Sequence, residues 1–320
     1  MTAEAQRSDS IRRIVDFYRS PPPSPPLRVA GAVIRDRWAR TAAILNAGCP
    51  PWASTVHRAG DVAGLPVDAT VFPAGGAGPH PGVLFIHGGA WVAGSTETHR
   101  QLCVRLAQCG VTVASVDYPL APEHPFPAGL EACHVALRWL TEHAPALGVD
   151  AGRLAIAGDS AGANLAAATL HDLVDRVGVT PFRAAVLAYG VFDFPATLRL
   201  PGDTPFVNGE TFAWQVEDYV GPGTDIARLR DPRISPRYSP QLAGFPPSLL
   251  VVGDEDPLAP QSREFAGALN AAGVPAEVHV YPSTPHAFLQ IEALPACGEA
   301  FSAIDAFLTR TLGPEPAPRT

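Results

Sequence analysis

The chain has 320 residues, of which 47% are hydrophobic and 17% charged, so its composition excludes a largely disordered protein. All 23 basic residues are arginine, and the absence of lysine excludes a Schiff base and a serine–lysine dyad. The formal net charge of −8 argues against a nucleic-acid partner. The length suits one large domain, and we predict a single domain over residues 1–320.

The cysteines and the amino terminus bear on location. The five cysteines form no C-x-x-C pair, and the first residues are too polar for a secretory signal. No apolar run approaches the roughly 18 residues that a membrane-spanning helix needs. We therefore predict a cytoplasmic protein without a membrane span, and the sequence leaves the choice between monomer and homodimer open.

In chain order, a short amphipathic helix is predicted over residues 11–18, and the proline-rich run at 21–26 ends it. Short apolar runs then predict strands at 67–72, 83–86, 111–116, 154–157, 184–189, 249–252 and 278–281. Helices are predicted between several of them, at 130–143, 161–177 and 262–272, the last closed by Gly273. Strands that alternate with helices predict an α/β fold with a mostly parallel sheet.

This alternation is interrupted between residue 192 and about residue 236. Prolines and glycines there enclose the apolar and aromatic side chains of Phe206, Phe212, Trp214 and Tyr219. We interpret this segment as an insertion that lies over the sheet.

The segment Gly158-Asp159-Ser160-Ala161-Gly162 follows one predicted strand and opens a predicted helix. A strand, a sharp turn and a helix are the context of a nucleophile elbow, in which the glycines avoid clashes within a strained turn. The pattern predicts Ser160 as a nucleophile. The alternative, an ordinary glycine-rich turn, is disfavoured by this context.

A second glycine-rich segment, His87-Gly88-Gly89-Ala90-Trp91, directly follows the predicted strand at 83–86. Exposed backbone N–H groups at this place can bind a developing oxyanion. We predict Gly88 and Gly89 as donors, with Ala161 at the start of the next helix as a third. His87 is predicted to brace this loop rather than to act as a base.

A serine nucleophile needs a histidine to accept its proton and a carboxylate to orient that histidine. The histidines after Ser160 are His171, His279 and His286. His286 is the candidate base, because it alone is predicted in a loop after the last strand. The candidate acids after the strand at 249–252 are Asp254, Glu255 and Asp256, and spacing does not choose among them.

Five motifs occur along the chain: HGGAW at 87–91, DYPLAPEHPF at 117–126, GDSAGANLA at 158–166, DPRISP at 231–236 and FPPSLLVVGDEDPL at 245–258. In this order, over about residues 87–288, they resemble the hormone-sensitive-lipase-like family of α/β-hydrolase esterases. The resemblance implies the α/β-hydrolase fold and a mainly helical cap formed by residues 1–50 and about 192–236. It places the acid on Asp256 and the base on His286, and it leaves Asp254 as a loop carboxylate.

The chain departs from the family pattern at Ala90, Pro119, Pro260 and Ala287, none of which is a triad side chain. Ala90 replaces a third glycine, which is tolerated unless residue 90 needs a positive φ. No histidine or cysteine pattern offers a metal site, so we expect neither a metal nor another cofactor.

Taken together, these patterns predict a serine hydrolase that cleaves small or short-chain carboxylic esters through an acyl-enzyme. The expected partner is a small-molecule ester. An amidase, a deacetylase or an acyltransferase with the same triad is the alternative, because the triad determines acyl capture but not the acceptor. A non-catalytic ligand-binding protein on this scaffold is disfavoured, since all three triad residues are present.

Overall fold

A computed structural model describes residues 31–200, 203–204 and 207–313. The helix predicted at 11–18 and the side chain of Phe206 lie outside the described residues.

The strands of the described chain are β1 (Thr55–Val62), β2 (Leu65–Phe72), β3 (His80–Ile86), β4 (Thr112–Asp117), β5 (Val149–Asp159), β6 (Phe182–Ala188), β7 (Asp203–Thr204), β8 (Val207–Asn208), β9 (Ser248–Gly253) and β10 (Ala276–Tyr281). Eight of them form one sheet in the order β1-β2-β4-β3-β5-β6-β9-β10. The strands from β4 to β10 in this order are parallel, and β1 and β2 pair antiparallel at one edge. This confirms the predicted α/β class with a mostly parallel sheet.

The α-helices of the described chain are α1 (Gly31–Leu45), α2 (Arg100–Gln108), α3 (Ala128–His143), α4 (Ala161–Val177), α5 (Phe194–Thr197), α6 (Gly209–Val220), α7 (Ile226–Leu229), α8 (Ala259–Ala271) and α9 (Pro295–Leu312). Helix α4 has the predicted bounds, whereas α8 begins three residues before the predicted start. Pro260 lies in the first turn of α8, where its missing N–H leaves nothing unpaired. Gly273 has φ +84° beyond the end of α8, and the Val274 N–H closes the helix on Leu269 O at 3.0 Å.

The hydrophobic core lies on both faces of the sheet. Along β3, Leu84 and Ile86 pack into one apolar cluster with α3, α4 and α8, whereas Val83 and Phe85 pack into a second with α2 and α9. Burial of each such side chain stabilises the fold by roughly 1.5–3 kcal/mol. Helices cover both faces of the sheet, so a site cannot form on a face. It can form in the loops that follow the carboxyl ends of the parallel strands.

Candidate active site

The predicted site residues lie in loops that follow four parallel strands. Gly88 and Gly89 follow β3, Ser160 follows β5, Asp256 follows β9 and His286 follows β10. Because these strands run in the same direction, their loops meet at one edge of the sheet.

Ser160 lies in a strained turn between β5 and α4, with φ 53° and ψ −118°. A Cβ atom added to Gly162 would lie 1.9 Å from Ile86 O, and one added to Gly158 would lie 2.4 Å from Gly162 O. Both positions therefore require glycine, as the elbow pattern predicts. The Ser160 N–H donates to Ala188 O at 2.8 Å and fixes the turn against β6.

The structure brings Ser160, His286 and Asp256 into one hydrogen-bonded chain. His286 Nε2 lies 2.9 Å from Ser160 Oγ, and His286 Nδ1 lies 2.7 Å from Asp256 Oδ2. An ionised carboxylate only accepts hydrogen bonds, so His286 carries its proton on Nδ1 and Nε2 can accept the serine proton. Asp256 Oδ1 also accepts the Leu258 N–H at 2.8 Å, and all three side chains are buried.

The other candidate acids and histidines lie elsewhere. Asp254 is exposed and accepts the Thr284 N–H at 3.3 Å, which is the loop role implied for it. His171 lies in α4, with its Nδ1 2.8 Å from Ser239 Oγ. His279 lies in β10 beside Glu277.

His286 is held by its neighbours in the chain and in space. The Tyr189 ring packs edge-on against the imidazole, with the ring centroids 4.9 Å apart. Ala287 has φ 60°, a conformation that costs a non-glycine residue about 1–2 kcal/mol. This strain explains why the glycine usual in the family suits position 287.

The predicted oxyanion loop, residues 87–91, differs from the prediction at Gly88. The Gly88 N–H donates to Asp159 Oδ1 at 2.8 Å, so it is already used within the protein. Gly88 O lies 2.8 Å from His87 Nδ1, which must donate because a carbonyl oxygen can only accept. In a trans peptide the Gly89 N–H points away from that carbonyl. Among the described residues, the N–H groups of Gly89 and Ala161 have no acceptor. Of the three predicted oxyanion donors, these two therefore stay free.

His87 lies in the loop-bracing position predicted for it. Its ring is buried and stacks on Tyr118 at 4.3 Å, and Tyr118 OH donates to His87 O at 3.0 Å. Burial, together with the nearby His99, lowers the pKa of His87 to about 3, so the ring is neutral at pH 7.

Residue 90 does adopt a positive φ. Ala90 has φ 50° and Trp91 has φ 62°, so two consecutive non-glycine residues follow Gly89 in the left-handed region. Trp91 is fixed by a hydrogen bond from its Nε1 to Asn164 Oδ1 at 3.2 Å. Ala90 therefore carries the backbone strain that a positive φ imposes on a non-glycine residue. Contacts of the neighbouring Trp91 keep the loop in this conformation.

The insertion contains α5, α6 and α7 and packs beside the oxyanion loop. The Trp91 ring lies 4.7 Å from that of Tyr219, 4.9 Å from that of Phe194 and 6.1 Å from that of Phe212, between centroids. Aromatic pairs at these distances are stabilising beyond their buried area. The role of this insertion as a cap stays a prediction.

Sequence reasoning missed Arg35, which connects α1 to two loops near the site. Its guanidinium pairs with Glu123 and donates to Val92 O at 3.2 Å. No motif contains Arg35, because its partners lie far away in sequence.

Within the described residues, no three metal-ligating side chains lie together as a group. None of the described helices is both long enough and apolar enough to cross a membrane.

Comparison with known proteins identifies the family. Residues 83–290 match the family model described as alpha/beta hydrolase fold. The chain is 36% identical over 218 residues to the ethyl acetate hydrolase of Pseudomonas putida, with 66% of this chain and 67% of that protein covered. It is 35% identical over 244 residues to the carboxylesterase NlhH of Mycobacterium tuberculosis, with 72% and 74% covered.

The chain belongs to the hormone-sensitive-lipase-like family of α/β-hydrolase esterases. This esterase also resembles, with a TM-score of 0.84 and 31% identity, the hyperthermophilic esterase of the archaeon Pyrobaculum calidifontis. That comparison covers 94% of this chain and 97% of the other. The predicted α/β-hydrolase fold and the predicted family are therefore confirmed.

Proposed function

We propose that this esterase hydrolyses small carboxylic esters with short acyl groups through an acyl-enzyme formed on Ser160. The observation that carries the proposal is the hydrogen-bonded chain from Ser160 Oγ through His286 to Asp256, at 2.9 and 2.7 Å. This geometry supports transfer of the serine proton to His286 Nε2.

In the first half-reaction, Ser160 Oγ attacks the ester carbonyl carbon while His286 Nε2 accepts its proton. Asp256 stabilises the imidazolium that forms. The carbonyl oxygen becomes an oxyanion that accepts hydrogen bonds from the N–H groups of Gly89 and Ala161, beside the positive end of α4. The C–O bond to the alcohol then breaks, and His286 Nε2 donates its proton to the leaving oxygen.

In the second half-reaction, water attacks the acyl carbon and His286 Nε2 accepts its proton. The tetrahedral intermediate collapses, Ser160 Oγ takes the proton back from His286, and the carboxylic acid leaves. The reaction needs no metal, because the donors and the base are groups of the chain itself.

Preference for short acyl groups follows from the proposed cap. The aromatic cluster of Trp91, Phe194, Phe212 and Tyr219 lies beside the oxyanion loop, and α1 is joined to the same region through Arg35. These elements would narrow the acyl side of the site. The name of one relative, an ethyl acetate hydrolase, fits a small ester.

The proposed chemistry requires no partner subunit, because one chain supplies the nucleophile, the base and the acid. A homodimer is therefore compatible with it but not needed. We also propose a cytoplasmic location, where the free thiols of all five cysteines would stay reduced.

A series of p-nitrophenyl esters from acetate to palmitate tests this function. We expect kcat/KM to be highest at roughly two to six acyl carbons and to fall for longer chains. The Ser160→Ala variant is the control for hydrolysis that does not depend on the site, and a p-nitroanilide amide tests the choice of ester over amide. A maximum at sixteen carbons would contradict the proposed acyl pocket.

A further inference from the structure

Asp159 directly precedes the nucleophile, yet it does not belong to the triad. Its side chain is only 1% exposed. Each oxygen has two polar neighbours: Gly88 N at 2.8 Å and His99 Nε2 at 3.4 Å from Oδ1, and Gln290 Nε2 at 3.2 Å and Tyr189 OH at 3.5 Å from Oδ2. A buried charge is tolerated only with polar partners, so the interior around Asp159 is arranged to accommodate this carboxylate.

The neighbours of Asp159 come from separate segments that carry parts of the site. Gly88 belongs to the oxyanion loop, and the Tyr189 ring packs against His286. Gln290 lies in the short helical turn Phe288–Gln290, just after His286. One carboxylate therefore links the oxyanion loop, the nucleophile turn and the loop of the base.

The network continues to rigid backbone through His99. Gln290 Nε2 lies 2.8 Å from His99 Nε2, so the amide bridges His99 and Asp159. Thr98 Oγ1 donates to Ser95 O at 2.9 Å, and it therefore accepts the hydrogen of His99 Nδ1 at 2.8 Å. The far end of the network is thus fixed to the turn that precedes α2.

The contact with Gly88 fixes the oxyanion loop from one side. Asp159 holds the Gly88 N–H, and His87 Nδ1 holds the carbonyl of the next peptide group. Glycines have broad conformational freedom, so without these two bonds the Gly88–Gly89 segment could turn. The direction of the free Gly89 N–H therefore depends on both contacts.

The charge state of Asp159 agrees with this role. Burial acts to raise the pKa of its carboxyl group, but the groups that face the carboxylate, including the Gly88 N–H that donates to it, outweigh burial and leave the pKa below its ordinary value. The group is an ionised acceptor at neutral pH.

We propose that Asp159 is a positioning residue for ester hydrolysis. Its carboxylate holds the oxyanion loop through Gly88 and the base loop through Gln290, in the arrangement that binds the tetrahedral intermediate. This inference rests on the proposed function of Ser160. It predicts a loss in transition-state binding with little change in substrate binding, because Asp159 is not proposed to touch the substrate.

The test compares Asp159→Ala and Asp159→Asn with the parent enzyme. We expect Asp159→Ala to lower kcat on p-nitrophenyl butyrate by about 10²-fold, similar to loss of one oxyanion donor, with KM within about threefold. A trifluoromethyl ketone, which forms a tetrahedral adduct with serine, should bind weaker by a similar factor. Asp159→Asn keeps an oxygen acceptor for the Gly88 N–H, so it should recover at least about tenfold of the lost kcat.

Asp172→Ala is the matched control, because Asp172 is another buried carboxylate that lies in α4 and pairs with His134 and Arg176. It should lower stability but leave kcat per folded molecule unchanged. If Asp159→Ala does not fold, Gln290→Ala replaces it, since that change removes the amide that joins Asp159 and His99 to the base loop and leaves the Gly88 N–H bonded to Asp159. We expect it to lower kcat about tenfold at unchanged KM.

Parental kcat in folded Asp159→Ala, or equal losses in the alanine and asparagine variants, would overturn the inference. For the Gln290→Ala replacement, parental kcat would do the same. Failure of the proposed function is distinguishable, because the parent enzyme itself would then hydrolyse no ester in a Ser160-dependent way.

Discussion

At the scale of single residues, two neighbouring carboxylates follow β9 and have different surroundings. Asp256 is buried and bonded to His286 Nδ1, whereas Asp254 is exposed and bonded to the backbone of Thr284. Only the first can fix the tautomer of the base. We therefore expect Asp256→Asn to lower kcat by about 10⁴-fold and Asp254→Asn to change it less than about threefold. Steady-state kinetics of both variants check this, and the reverse ranking would contradict the assignment of the acid.

His87 predicts how stability depends on pH. Its pKa is about 3 in the folded chain, because burial and the nearby His99 disfavour its charged form, against 6.5 as the ordinary value. The folded state therefore binds fewer protons, and this contribution is fully present above pH 6.5 and is lost as the pH falls toward 3. Per pH unit in that window, the loss is up to about 1.4 kcal/mol.

The variant His87→Gln removes this titration and keeps an N–H donor for Gly88 O. The free energy of unfolding from urea titrations at pH 7, 5.5 and 4.5 should fall less steeply for the variant than for the parent. Parallel curves for the two proteins would show that His87 is not held neutral by the fold.

The candidate site residues were indicated where chemistry is local in sequence. The elbow motif indicated Ser160 and the position after the last strand indicated His286, while the choice of Asp256 needed the family resemblance, and the structure brings the three side chains together. The engagement of the Gly88 N–H could not be predicted, because it depends on the direction of the Asp159 side chain 71 positions later in the chain. Arg35 was missed for the same reason, since its partners are brought close only by folding.

At the scale of elements, β2 was predicted as the strand at 67–72, but β1 and its hairpin with β2 were missed because the turn lacks a strong signal. Ala63 and Gly64 connect the strands with φ 50° and 81°, and a two-residue loop with both φ values positive favours Asn-Gly. Alanine at position 63 does not match this preference. The preceding strand β1 is mostly exposed or half-buried, with one buried residue. Strands buried on both faces, such as β3 and β9, were predictable as continuous apolar runs.

The same turn offers a stability test. Ala63→Asn should raise the free energy of unfolding by about 1 kcal/mol, because asparagine tolerates the left-handed conformation better than alanine. Urea unfolding of the two proteins measures this difference. The exposed turn lies at the β1–β2 edge of the sheet, where β4 and β3 separate it from β5 and the nucleophile turn, so kcat should not change, and a lower stability would contradict the type of turn described.

At the scale of the whole molecule, Arg35 joins α1 to the loops around the site. It pairs with Glu123 and donates to Val92 O, which follows Trp91 directly. Arg40 on the same helix pairs with Asp36, one turn away, and is exposed. The two arginines therefore differ in whether they connect α1 to the rest of the chain.

We expect Arg35→Gln to raise KM for p-nitrophenyl butyrate at least about threefold, with kcat within twofold, because α1 would no longer be held in its place in the proposed cap. Arg40→Gln is the matched control and should leave both constants unchanged. The loss in stability should stay below about 1 kcal/mol, as usual for a partly exposed ion pair. Equal KM values for the two variants would remove α1 from the proposed cap.

The overall architecture was predictable because alternating apolar strands and amphipathic helices determine an α/β sheet. The packing of the insertion was not, since its helices α5 and α7 are only four residues long and α5 packs through Phe194 on the Trp91 ring, which is distant in sequence. Its punctuation by proline and glycine indicated an insertion, but not which surface it covers.

The central claim is that Ser160 is an activated nucleophile, and covalent labelling tests it most directly. The parent enzyme, treated with a fluorophosphonate, should gain the mass of one phosphonyl group, and peptide mapping should place that group on Ser160. Hydrolysis of p-nitrophenyl butyrate should disappear in proportion to labelling, and Ser160→Ala should remain unlabelled and inactive. Labelling of a different residue, or parental hydrolysis by Ser160→Ala, would contradict the account.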